Sequence, residues 1–173
     1  ISMAREVNLI TEPQELMQWM STHDVLIDIS PEDIQLLLNY LEGHDFAMGT
    51  DKEERLVRVD IATEDGECIE YSLDEFIDLV CEWNYELILD ADEKRNNPKD
   101  MLDFSREQSR YESYKQDEVL LDRMFEQTKY GKDIAEFADR IAGQVIEMFG
   151  RCADEAASIV AEGVKEYRME KVR

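Results

Sequence analysis

The stretch that decides the fold is residues 60–93, DIATEDGECIEYSLDEFIDLVCEWNYELILDADE. Asp65-Gly66 is a tight-turn pair, and Ile69 and Tyr71 after it read as a return strand. The outgoing strand lies just upstream, where Val57, Val59 and Ile61 alternate with Arg58 and Asp60. Ser72-Leu73-Asp74-Glu75 is a capping box, serine with glutamate three residues on. The helix it opens is expected to run to about Leu89, burying Phe76, Ile77, Val80, Trp83, Leu87 and Ile88. A hairpin followed at once by an amphipathic helix points to an α+β fold. The same 34 residues hold 13 carboxylates and no lysine or arginine, so the segment is folded and strongly acidic at once.

Working outward, Phe46 and Met48 add a strand upstream, giving a small antiparallel meander. Ser30-Pro31-Glu32-Asp33 is a helix start, with serine as cap, proline at the first helical position and acids at the positive end of the dipole. Ile34, Leu37, Leu38 and Leu41 form its face, and Gly43 is the expected terminator. Thr11 is expected to cap an earlier helix reaching Ser21. Residues 25–29 read as a short strand or an extended lead. Residues 90–100, with Asn96-Asn97-Pro98, read as a linker. A charged helix is expected over 101–130, ended by Gly131, and then one long helix from Asp133. In that helix Ile134, Ala138, Ile141, Val145, Met148 and Cys152 follow a 4-3 spacing, and Ala156, Ile159, Gly163 and Tyr167 continue after a slip of phase. The short connection at Gly131 implies an antiparallel hairpin. The expected organisation is an acidic α+β domain over 3–93, a linker over 94–100 and a long C-terminal helical hairpin over 101–173, which alternatively packs on the first part as one domain. Met3 is the expected native start.

The formal net charge is −23 over 173 residues. Residues 1–57 carry 12 acids and 3 bases, residues 58–93 carry 13 acids and 1 base, and the remainder 17 acids and 15 bases. A charge of this size repels nucleic acid and anionic membrane surfaces and favours basic partners. No apolar run is long enough to span a membrane and no secretory leader is read, so a cytoplasmic protein is expected. The thiols of Cys68, Cys81 and Cys152 are odd in number and widely spaced, which fits reduced cysteines in apolar surroundings.

No chemistry emerges from the motifs. His23 and His44 have no second histidine at ligand spacing, and there is no phosphate-binding glycine loop and no nucleophile elbow. Asp90-Ala91-Asp92 opens like a calcium loop, but Arg95 stands where glycine is needed and no glutamate follows at the twelfth position. Neither an enzyme, a cofactor nor a metal is expected.

The distinctive pattern is Asp74, Asp78, Glu82, Glu86 and Asp90, every fourth residue of one helix. Like charges at this spacing cost roughly 0.2–0.5 kcal/mol per pair, so about 1–2 kcal/mol for the row. Four residues rise about 6 Å along a helix, close to the ~6.8 Å between alternate phosphates of one DNA strand. Asp65, Glu67 and Glu70 on the hairpin would widen the surface. The bland alternative is a solvated face.

In charge, size and lack of catalytic motifs, residues 1–93 resemble the acidic inhibitors of phages and mobile elements, among them anti-CRISPR and anti-restriction proteins that mimic DNA. The resemblance implies a non-enzymatic protein that blocks a basic nucleic-acid-binding protein or nuclease, without binding nucleic acid itself. Its partner-binding residues would be Asp65, Glu67, Glu70, Asp74, Asp78, Glu82, Glu86 and Asp90. The balanced C-terminal half departs from a pure mimic. The alternative is a structural or adaptor protein that forms homodimers or larger assemblies through its C-terminal helices.

Overall fold

The structure, a computed structural model, describes residues 6–149 and 153–172. The expectations for Met3 and Cys152 fall outside those residues. Among the described residues the fold is α+β: a four-stranded antiparallel sheet in the order β1-β2-β3-β4, and six helices. The elements in chain order are β1 (Asn8–Ile10), α1 (Pro13–Thr22), α2 (Pro31–Gly43), β2 (Phe46–Thr50), β3 (Leu56–Asp60), β4 (Cys68–Glu70), α3 (Leu73–Asn96), α4 (Met101–Phe125), α5 (Lys129–Phe149) and α6 (Ala153–Val172).

The local signals work where expected. Ser30 accepts the Asp33 N–H at 3.1 Å, and Ser72 accepts that of Glu75 at 3.1 Å, so both capping boxes form. In α1 the cap is Glu12 rather than Thr11, whose hydroxyl donates instead to Glu15. Residues 25–29 are the extended lead, not a strand. The Asp65-Gly66 pair does not close a two-residue hairpin. Asp60 N–H donates to Glu67 C=O at 2.9 Å, leaving a six-residue loop over 61–66.

Val57 and Val59 are buried, as the alternation expects, but β3 is covered on both faces: Leu56 is buried too and joins the main core with Ile10 and Met48. Arg58 lies on that same helix-facing side, with its guanidinium 4.6 Å from the Phe46 ring and 4.8 Å from the Tyr71 ring, and it donates to the Tyr71 hydroxyl at 2.9 Å. A cation between two aromatic rings is tolerated where alternation alone assigns a solvent position. Ile61 lies beyond the strand and is exposed.

The second half of the chain belongs to the same core. Leu121, Met124 and Phe125 of α4 and Ile134 of α5 are buried in one cluster with Leu16, Leu37, Leu41, Phe76 and Ile77. Each such side chain contributes about 1.5–3 kcal/mol on burial. The expected linker is mostly helix: α3 runs to Asn96, and only residues 97–100 connect it to α4, whose N-cap is Asp100. α4 therefore pairs with α3 and not with α5. Polar links reinforce this pairing. Asn84 donates to Tyr114 C=O at 3.2 Å, and the Tyr40 hydroxyl lies between the side-chain oxygens of Asn84 and Asp117. Arg123 donates to both oxygens of the buried Asp33 at 2.9 Å, clamping α4 to the start of α2.

The long C-terminal helix is folded in two. Phe137 and Tyr167 stack with centroids 4.2 Å apart, and a Cβ on Gly163 would lie 3.4 Å from Ile141. Thirty residues of unbroken helix would hold the first pair about 45 Å apart. The two contacts share one antiparallel register, so the heptad seam closes on itself. α5 ends at Phe149 and α6 begins at Ala153.

The turn into α5 is tight. Thr128, fully buried, donates its hydroxyl to Phe125 C=O at 2.6 Å and accepts the Gly131 N–H at 3.0 Å. A Cβ on Gly131 would stand 1.8 Å from the Phe125 carbonyl oxygen. Gly131→Ala is expected to lower stability by roughly 1–3 kcal/mol or more, through overpacking against backbone. Equilibrium urea unfolding would read it, and an unchanged midpoint would contradict this close approach.

Candidate functional site

The structure divides the eight acids singled out by the sequence into three groups. The first lies where the C-terminal hairpin docks on α3. Asp74 accepts the backbone N–H of Lys129 at 3.0 Å, so a carboxylate at the start of α3 caps α5. Asp78 is buried, 6% exposed, and its Oδ1 has no hydrogen-bond partner. Burial above all, then the charge of Asp74 and to a smaller degree that of Glu75, push the Asp78 carboxyl up to about 7, against the pull of Arg168. Glu82 lines a groove of about 310 Å³ between α3, α4 and α6, together with Leu121, Val164, Lys165 and Arg168. The carboxylate row is therefore not one outward face. Its first half is turned toward the hairpin, because α6 packs on α3.

Basic groups of α6 meet that half. Arg168 pairs with Asp122 of α4 at 2.5 Å and lies 4.2 Å from the Phe125 ring centroid. Beside it Cys81 is buried, donates to Leu121 C=O at 3.6 Å, and has its thiol pushed up to about 12 by burial. Such a thiol is a small core group, inert at neutral pH.

The second group is Glu70 alone, at the far end of β4. It lies 3.6 Å from Arg55 in a mixed-charge turn with Asp51 and Glu53.

The third group, Asp65, Glu67, Glu86 and Asp90, is exposed. The register Phe46↔Asp60, together with the bond from Asp60 to Glu67, brings Asp45, Asp60 and the 61–67 loop to one end of the sheet. Ile61 N–H donates to Asp45 C=O at 2.9 Å, which ties the α2–β2 turn to that loop. Asp45 holds this turn with φ of 59°, a left-handed conformation that aspartate tolerates. α3 arrives at the same end. Trp83 stacks on His44 at 3.8 Å and on Phe46 at 5.7 Å. At about 100° per residue, Glu86 lies roughly 60° and Asp90 roughly 20° around the helix from Trp83. Both thus continue past the sheet end on the side that carries Asp45, Asp60, Glu64, Asp65 and Glu67. The cations nearest this surface are engaged: Arg58 between its aromatic rings, and Lys94 with Asp90 at 2.9 Å.

Sequence reasoning missed Asp45, Asp60 and Glu64 as members of this surface. Their signal was the strand register, which no local pattern encodes. Among the described residues no group of three or more histidine, cysteine, aspartate or glutamate side chains could hold a metal ion. Among them, too, no helix is long and apolar enough to cross a membrane.

The two halves of the row differ in the sign of their effect on stability. Asp74→Ala is expected to destabilise by about 0.5–2 kcal/mol, the cost of a lost N-cap, although it removes a like charge. Glu86→Ala is expected to be neutral or slightly stabilising. Chemical denaturation of both variants measures this, and stabilisation by Asp74→Ala would contradict the capping role. In comparison with known proteins, no family profile, no curated protein sequence and no solved structure matches the chain.

Proposed function

We propose that this chain is a non-enzymatic, acidic interaction protein that inhibits a basic nucleic-acid-binding protein or nuclease by presenting carboxylates in place of DNA phosphates, in the manner of anti-CRISPR and anti-restriction mimics. The observation that carries the reading is the acidic end of the sheet, where Asp45, Asp60, Glu64, Asp65 and Glu67 converge and α3 adds Glu86 and Asp90. Lysines and arginines that bind DNA would gain the same electrostatic attraction from such a surface. The stack of His44, Trp83 and Phe46 behind it holds α3 against the sheet, so the carboxylates are presented on a rigid support. The contact set is Asp65, Glu67, Glu86 and Asp90 of the acids singled out by sequence, joined by Asp45, Asp60 and Glu64. Asp74 and Asp78 serve the hairpin.

The test is capture from a bacterial lysate by the wild-type chain and by Glu67→Lys/Glu86→Lys. Captured nucleic-acid-binding proteins are expected to be released by salt, displaced by duplex DNA and lost from the double variant. Capture that persists in high salt, resists duplex DNA and survives the charge reversal would overturn the reading.

The adaptor reading keeps one specific support. Ile146, Met148 and Ile159 remain exposed on the α5–α6 hairpin, at 56%, 76% and 39%. It expects concentration-dependent self-association that tolerates salt and is abolished by Ile146→Glu/Met148→Glu. A monomer throughout sedimentation at high concentration would exclude it.

A further inference from the structure

Asp78 stands apart from the acidic surface, and the geometry around it is that of a charge with nowhere to go. It is 6% exposed, on the α3 face that turns toward the C-terminal hairpin, and Oδ1 receives no hydrogen bond. The groups that act on it can be named element by element. On α3 they are the carboxylates of Asp74 and Glu75 and the thiol of Cys81. On α5 the Lys129 N–H is already taken by Asp74. On α6 there is Arg168, and on α4 Asp122 holds that guanidinium at 2.5 Å. The attracting guanidinium of Arg168 is thus shared with another carboxylate, while the like charge of Asp74 lies one turn away.

The hairpin that docks here is joined to α4 by residues 126–128, is fastened to α3 at its start by the Lys129–Asp74 bond, and packs on α3 through α6. Its seat is incompletely packed, since the groove of about 310 Å³ remains between α3, α4 and α6. Inside the hairpin, Phe137 stacks on Tyr167 and Ile141 approaches Gly163, contacts that join α5 to α6 without involving α3. A buried carboxylate with an oxygen that receives no hydrogen bond is far costlier to hold when ionised than when protonated.

We propose that the α5–α6 hairpin is a pH-governed latch, closed on α3 while the Asp78 carboxyl is protonated and weakened as that carboxyl ionises. The closed form binds the proton more tightly than the open form, where water reaches the group. Closure is therefore strongest below the ordinary carboxylate range. It weakens as pH rises toward about 7, the value to which burial pushes Asp78, and this group causes no further change above it. Opening would also uncover Glu82. The latch is independent of the DNA-mimic reading, because it concerns only how α6 sits on α3.

Hydrogen exchange of the full chain, corrected for intrinsic rates, tests this at about pH 5 and 7.5. The ceiling is tenfold in the closing equilibrium per pH unit between the open and closed values. Peptides over residues 158–170 are expected to lose at least about tenfold in protection between the two conditions, while α2 and β3 do not change. Asp78→Asn keeps the site neutral and is expected to hold the protection high at both pH values. Equal protection at the two pH values in the wild type overturns the latch, and so does an undiminished pH dependence in Asp78→Asn. Should that variant fail to fold, the NMR titration of the Asp78 carboxyl carbon in the wild type decides. A midpoint well above the ordinary carboxylate range supports the latch, and an ordinary midpoint overturns it.

Discussion

The hydrogen bond from the Lys129 backbone N–H to the Asp74 carboxylate, 3.0 Å long, fixes where the second half of the chain goes. It joins the N-termini of two helices that are 55 residues apart in sequence. One carboxylate satisfies an orphan N–H of α5 while standing in the first turn of α3, where the dipole of its own helix also favours it. Thr128 and Gly131 complete the junction by letting the first turn of α5 rest on the last carbonyls of α4. With the start of α5 pinned and the α5–α6 seam closed on itself, α6 returns to α3 and covers the first half of the carboxylate row.

That covering explains how the chain can carry five acids at four-residue spacing. The like-charge cost is spread over different environments. Asp74 is a cap, Asp78 is buried, Glu82 lines the groove that Lys165 and Arg168 also line, and Asp90 has Lys94. Of the five, Glu86 and Asp90 are the exposed ones. The outward negative surface is built by topology instead. The meander brings two acidic segments, Asp45 and residues 60–67, to one sheet end, and the His44–Trp83–Phe46 stack delivers α3 to the same place.

The parts of this fold that are legible in the sequence are those with local causes. Ser30 with Asp33 and Ser72 with Glu75 announce their helices because a capping box is complete within four residues. The burial of Val57 and Val59 is legible in the alternation of β3, but the covering of its other face is not, because Arg58 looks like a solvent position until Phe46 and Tyr71 are known to flank it. The folded-back hairpin is hidden for a related reason. A heptad repeat marks a seam but not what fills it, and around Phe137 and Ile141 it is filled by the next stretch of the same chain. The slip of phase between Cys152 and Ala156 is the trace of that reversal in the sequence. Helical periodicity likewise put five carboxylates on one face without saying that another helix would cover part of it. Of the site, Asp65, Glu67, Glu86 and Asp90 could be named in advance, whereas Asp45, Asp60 and Glu64 needed the register.

The central claim is that the C-terminal segment folds back as a hairpin and divides the acidic row between interior and surface. The most direct measurement is the distance between spin labels placed at Glu136 and Glu166, both exposed. Packed antiparallel helices have axes about 8–10 Å apart, so with label linkers a separation of roughly 10–25 Å is expected. A separation near 45 Å, that of an unbroken helix, would contradict the hairpin and return the whole carboxylate row to solvent.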